Sequence, residues 1–221
     1  MKPIRLISGF LTVGFWTLAS RILGMVREIL LFSLIGAGPL LDAFFAAFRL
    51  PNMFRRFFAE GAFNSAFVPL ISKKYERKEN ATAFANEAMG SLAFVLLILT
   101  TISIIFMPAL IWAIANGFVG DERFEITVAF GRVMFPYIFL ISLAALLSGV
   151  LNALGYFAAA AAAPVLLNIT IIFGLCISFF FEWPTMIILI YSVPFAGILQ
   201  LILLWSAAKK AGLIIRPSRP R

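Results

Sequence analysis

Apolar residues run almost unbroken through four stretches of the chain, at about 91–115, 126–151, 156–181 and 184–206. Each matches the ~20 residues that an α-helix needs to cross a bilayer core. GFVGDERFE separates the first two, NALG the second pair and FEWP the last. The NALG turn is short and uncharged, so the helices on either side of it are predicted to be antiparallel neighbours.

The first 72 residues have a different pattern. The apolar runs at 6–19 and 29–35 are each too short to span, and SRILGMVRE lies between them. One long helix over about 6–35 joins them and ends at IGAGPL. The same reasoning predicts a second helix over 41–72, with Pro51 inside it. A proline there removes a backbone hydrogen bond and predicts a kink. The expected fold is therefore all-α, a six-helix transmembrane bundle over residues 1–208. A cytoplasmic amphipathic connection is expected at 73–90, and a basic cytoplasmic tail at 209–221.

Composition supports lipid as the solvent. The chain has 221 residues, 62% of them apolar and only 13% charged, about half the ~25% charge of a soluble domain. The N-terminus resembles a secretory signal, with Lys2 and Arg5 before an apolar run, but more membrane sequence follows it. There is no histidine, which removes histidine-based acid–base chemistry and histidine metal sites. The lone Cys176 sits in an apolar run and is expected to pack as a small hydrophobe. No catalytic or metal-ligating set emerges, so an enzyme is not expected.

The net charge of +8 would suggest nucleic acid in a soluble protein, but here it reports topology, and no nucleic-acid partner is expected. With the N-terminus inside, the cytoplasmic segments hold Lys2, Arg5, Lys73, Lys74, Arg77, Lys78, Lys209, Lys210, Arg216, Arg219 and Arg221. The outer connections hold only Arg123, beside Asp121, Glu122 and Glu125, and then Glu182. Both termini are therefore expected in the cytoplasm. Arg132 lies two turns into its helix and can snorkel.

The charges of the first two helices are not explained that way. Each arginine or aspartate at mid-membrane costs ~2.5–3.5 kcal/mol on an insertion scale, and such residues usually face a bundle interior or a watery path. Arg21 and Glu28 are seven residues apart, as are Ser20 and Arg27, with Gly24 between them. Asp42, Arg49 and Arg56 repeat that spacing on the second helix, with Arg55 beside them. The Pro51 kink leaves open which of Arg55 and Arg56 faces inward. Five arginines against Glu28, Asp42 and Glu60 make a net positive cavity. Arginine's planar fork binds phosphate bidentately and stays charged, so an anionic, phosphate-bearing substrate is expected.

SRILGMVRE followed by GAGPLLDAFFAAFRLPNMFRRFFAEGAFNSAFVPLIS resembles the MurJ/MviN family of lipid II flippases, in the MOP exporter superfamily. FPYIFLISLAALLSGVLNALGYFAAAAAAPVLLNITII resembles the same family's fourth and fifth helices. The resemblance implies a bacterial inner-membrane protein that moves an undecaprenyl-diphosphate-linked peptidoglycan precursor to the periplasmic leaflet by alternating access. It implies cavity roles for Arg21, Arg27, Arg49, Arg55 and Arg56. It places acidic positions at Glu28 and Asp42; the residues themselves make Glu28, Asp42 and Glu60 the charge partners of these arginines and Pro51 and Gly24 points of helix bending. Membrane lipids are the other implied partners. The family has about fourteen helices in two pseudo-symmetric lobes with the cavity between them. Six helices correspond to the N-terminal lobe, expected to be inactive without a second lobe of six to eight helices. No cofactor is implied; coupling to membrane potential or to a monovalent cation would use a site outside this chain. The alternatives are another superfamily exporter, carrying a different polyprenyl-linked glycan or a drug, or a non-transporting assembly subunit. The arginine-rich cavity disfavours an exporter of organic cations.

Overall fold

Local stop signals set the helix ends. The computed structural model describes residues 3–59, 62–76 and 80–218, with side chains placed for 11–54, 66–74 and 80–218. Helix α1 (Pro3–Ile35) is 33 residues long, about 50 Å at 1.5 Å per residue, and exceeds a bilayer core of about 30 Å. It ends where Gly36 turns to φ +78°, in the left-handed region that glycine enters without strain. Helix α1 runs unbroken through Gly24. Pro39 opens α2 (Pro39–Ala59), and the helix continues through a buried Pro51.

The predicted helix at 41–72 is observed as α2 and α3 (Ala62–Glu76), with residues 60 and 61 outside the described set. No amphipathic connection occupies 81–90. Asn80 caps α4 (Ala81–Ile105), its Oδ1 accepting from the Ala83 amide at 3.2 Å. Ala81, Ala85 and Met89 are buried at successive i+4 positions. That stripe packs the first turns of α4 into the bundle, so they do not lie on a surface.

Proline breaks the next two predicted helices. The helix stops at Phe106 and resumes as α5 (Met107–Ile114), where Pro108 lacks the amide that would continue the ladder. A 3₁₀ turn (Asn116–Phe118) leads to α6 (Glu122–Met134), capped by Asp121. Helix α7 (Tyr137–Ala153) follows after a 40° bend at Phe135 and Pro136. Gly155, at φ +82°, makes the turn to α8 (Phe157–Phe180), which α9 (Thr185–Lys210) follows.

Among the described residues α4, α8 and α9 are each long and apolar enough to cross a membrane, and the bent α6–α7 pair makes a fourth span. The chain is a multi-pass membrane protein. Helix α7 is central: Ile138, Leu146, Leu147 and Leu151 are fully buried, and α9, α2, α3, α4 and α8 pack around it. Helix α1 lies along α8, α8 along α9, and α2 along α6 and α7. Helices α1 and α2 touch each other little and are held by different neighbours.

The C-terminal segment is not a free polar tail. After Gly212 turns at φ +81°, residues 213–218 fold back over α4. The Arg216 amide donates to Asn86 Oδ1 at 2.8 Å, and the Ser218 amide to the Asn86 carbonyl at 3.2 Å. Ile215 is fully buried near Ile71, Ala85, Val150 and Leu154, at the meeting point of α3, α4 and α7. An apolar LII segment before the basic end makes this docking favourable, and burial of one isoleucine contributes about 1.5–3 kcal/mol.

Candidate polar cavity

Ser20, Gly24 and Arg27 recur at helical spacing on the face of α1 that meets α8. Arg27 Nη1 donates to Asn168 Oδ1 at 2.9 Å. Asn168 Nδ2 donates to the Ser20 carbonyl at 2.9 Å and reaches Ser20 Oγ at 3.4 Å. One carboxamide thus bridges two turns of α1, and Gly24 leaves the space it crosses. Arg27 Nη2 also pairs with Glu28 Oε1 at 3.2 Å; the Arg27 side chain is 16% exposed and that of Glu28 is 57% exposed. Arg27 Nε is buried without a hydrogen-bond partner among the described residues. A buried guanidinium that lacks one partner is a strained donor set.

Arg27 borders an open cavity of about 560 Å³ lined by α1, α2, α7, α8 and α9. Its polar lining includes Ser20, Asn52, Ser148, Asn152, Asn168 and Gln200. The alanine run and Pro164 of α8 form another side. Deeper in, the Tyr137 hydroxyl donates to Gln200 Oε1 at 3.2 Å, and Gln200 Nε2 donates to the Ala163 carbonyl at 2.8 Å. These bonds tie α7, α9 and α8 together with both ends of the Gln200 amide satisfied.

The remaining charges are distributed differently from the prediction. Arg21 and Arg49 have exposed side chains and do not line the cavity. A spacing of seven puts Arg21 with Glu28 on one face and Ser20 with Arg27 on another, about 100° apart. Only the second face meets α8. Asp42 is exposed in the first turn of α2, whereas Arg27 lies two turns below the end of α1, so the two are not paired. Asp42 Oδ2 instead faces Arg123 Nη1 at 3.4 Å. Arg123 also pairs with Asp121 at 2.6 Å and sits 4.5 Å over the Phe118 ring. That pairing, above all the side-chain hydrogen bond from Arg123, holds the Asp121 carboxyl below its usual 3.8. Arg55 and Arg56 lie on α2, but their side chains, and all of Glu60, fall outside the described residues. No three metal-ligating side chains cluster among the described residues.

The neutral lining was not picked out from sequence, although a signal was present. Asn152, Asn168 and Gln200 each stand inside a long apolar run, and polar groups at such positions normally face a bundle interior. Ser148 and Asn152 are four residues apart, on one face of α7.

Bent, apolar helices packed around a polar cavity that Arg27 borders make this a helical membrane bundle with a polar interior. Residues 31–221 match the family described as lipid II flippase MurJ, and the chain belongs to that family. It is 46% identical over 223 residues to the probable lipid II flippase MurJ of Rhizobium tropici, covering 98% of this chain and 42% of that protein. The lipid II flippase MurJ of Burkholderia cenocepacia is 38% identical, with 96% of this chain and 42% of that protein covered. Among solved structures, lipid II flippase MurJ in an inward closed conformation superposes with a TM-score of 0.75 at 28% identity. That match covers 94% of this chain and 42% of the other. The chain therefore spans about 42% of the length of these relatives and corresponds to their N-terminal lobe.

Proposed function

We propose that this chain supplies the N-terminal half of a flippase that carries lipid II from the cytoplasmic to the periplasmic leaflet of the bacterial inner membrane. The observation that carries the reading is Arg27, a guanidinium anchored by Asn168 at the edge of a polar cavity. A diphosphate brings acceptor oxygens in the spacing that a guanidinium fork accepts. Arg21 and Arg49, exposed beside the cavity, extend the cationic surface toward a second lobe, and the family motif assigns the same role to Arg55 and Arg56. The prenyl tail stays in lipid while the lobes rock about the site. The termini of this lobe lie in the cytoplasm. The chain does not transport alone, and coupling to membrane potential or to a cation comes from outside it. Cells depleted of their own flippase test the reading when they express the complete two-lobe protein with Arg27→Ala or Arg27→Lys. Both variants are expected to insert normally and fail to support growth, since lysine lacks the fork. Growth equal to wild type on Arg27→Ala would exclude the assignment.

A further inference from the structure

The cavity holds two kinds of carboxamide. Asn168 and Gln200 have both ends of their amides committed to the protein. Asn52, Ser148 and Asn152 also line the cavity, yet their side chains make no hydrogen bond to any described residue. Three neutral groups with unspent donors and acceptors, inside a bundle that lipid surrounds, cost free energy unless water or a ligand pairs with them. Ser148 and Asn152 share a face of α7, Asn52 stands on α2, and Arg27 stands on α1. Among the described residues no carboxylate lines the cavity, so nothing in that lining repels an anion.

We propose that Asn52, Ser148 and Asn152 form a subsite for the sugar that the diphosphate carries. Hydroxyl and acetamido groups both donate and accept, as this wall does, and the sugar is joined directly to the diphosphate in a cavity that Arg27 and the wall share. The proposal rests on the diphosphate reading above and adds a selectivity to it. Arg27 recognises charge, and the amide wall distinguishes a glycosylated lipid from a bare one.

The test uses the complete two-lobe protein, purified in lipid nanodiscs, and two probes, undecaprenyl diphosphate and the same lipid carrying one N-acetylhexosamine. Two net hydrogen bonds correspond to about tenfold tighter binding of the glycosylated probe. Asn152→Leu is expected to erase that preference while leaving affinity for the bare probe unchanged, and Arg27→Ala to weaken both. Ser148→Ala, which changes little volume, carries the same test if Asn152→Leu fails to fold, with a partial loss of preference expected. Equal wild-type affinity for the two probes overturns the subsite and leaves the diphosphate reading intact. Equal weakening of both probes by folded Asn152→Leu also overturns it, because the residue is then structural. Binding of neither probe by the wild-type protein overturns the subsite together with the diphosphate reading.

Discussion

Arg27 on α1 and Asn168 on α8 meet at 2.9 Å across 141 positions of sequence, and the same amide reaches back to the Ser20 carbonyl. One side chain therefore registers α1 against α8 and aims the guanidinium. Glu28 constrains Arg27 only from the neighbouring position and is more than half exposed, so its pairing is worth little. The neutral partner, more than the acidic one, determines where Arg27 points.

Replacing Asn168 should therefore cost both stability and aim. Asn168→Leu leaves a largely buried arginine short of an acceptor, a loss of about 1–2 kcal/mol by the usual range for hydrogen bonds between membrane helices. Thermal denaturation in detergent is expected to show a lower midpoint for Asn168→Leu than for Glu28→Gln. A larger effect from Glu28→Gln would mean that the ion pair carries the anchoring.

Gly24 admits a graded test of the same contact. A Cβ at this position would lie 3.7 Å from Asn168 Nδ2, an ordinary contact. Gly24→Ala is expected to be tolerated or to stabilise α1 by about 0.5–1 kcal/mol, since alanine suits a helix interior better. Gly24→Leu has no room on that face and should separate α1 from α8. The thermal midpoint in detergent is expected to fall for the leucine variant and to hold or rise for the alanine one.

Local chemistry made much of this fold legible. Gly36, Gly155, Pro108 and Pro136 mark helix ends and breaks because each acts on its own backbone, whereas Pro51, Pro164 and Pro194 stay inside helices. The arginines stood out because charge is costly in lipid. What sequence alone left hidden depends on packing between distant segments. Asn168 is neutral and remote from Arg27, so nothing local identified it as the partner. The seven-residue spacings were real, but two faces 100° apart share that spacing, and only contact with α8 separates Arg27 from Arg21. From sequence Asp42 is expected to partner the arginines of α1 and α2, although its position at the start of α2 places it beside Arg123 in the first turn of α6.

The Asp121–Arg123 cluster predicts an acid-sensitive contact. The folded pKa of Asp121 lies below its ordinary 3.8. The pairing thus contributes stability above about pH 3.8 and loses it as pH falls through the lowered value. Hydrogen exchange at the Arg123 amide, which donates to Asp121 Oδ1 at 3.1 Å, should quicken below that point after correction for intrinsic rates. Asp121→Asn, an acceptor that does not titrate in this range, should abolish the pH step. An unchanged step in that variant would assign the titration to another carboxylate.

Gly90 decides whether the C-terminal segment stays docked. A Cβ at this position would clash with the Ser218 carbonyl and come within 2.9 Å of its carbon, both backbone atoms that cannot swing aside. Gly90→Leu should therefore expel residues 213–218 while α4 itself persists, because leucine is a good helix former. Expulsion exposes Ile215, which is otherwise fully buried. In a Cys176→Ala background, Ile215→Cys is expected to react slowly with a maleimide in the native chain and rapidly once Gly90→Leu is added. Asn86→Ala removes the acceptor for the Arg216 amide and should give an intermediate rate, since the Asn86 carbonyl still receives the Ser218 amide. Equal reactivity in all three chains would mean that the segment is not held against α4. If the order is as expected, α9 leaves this lobe by a path fixed against α3, α4 and α7, and any chain continuing beyond it starts from a clamped point rather than a free linker.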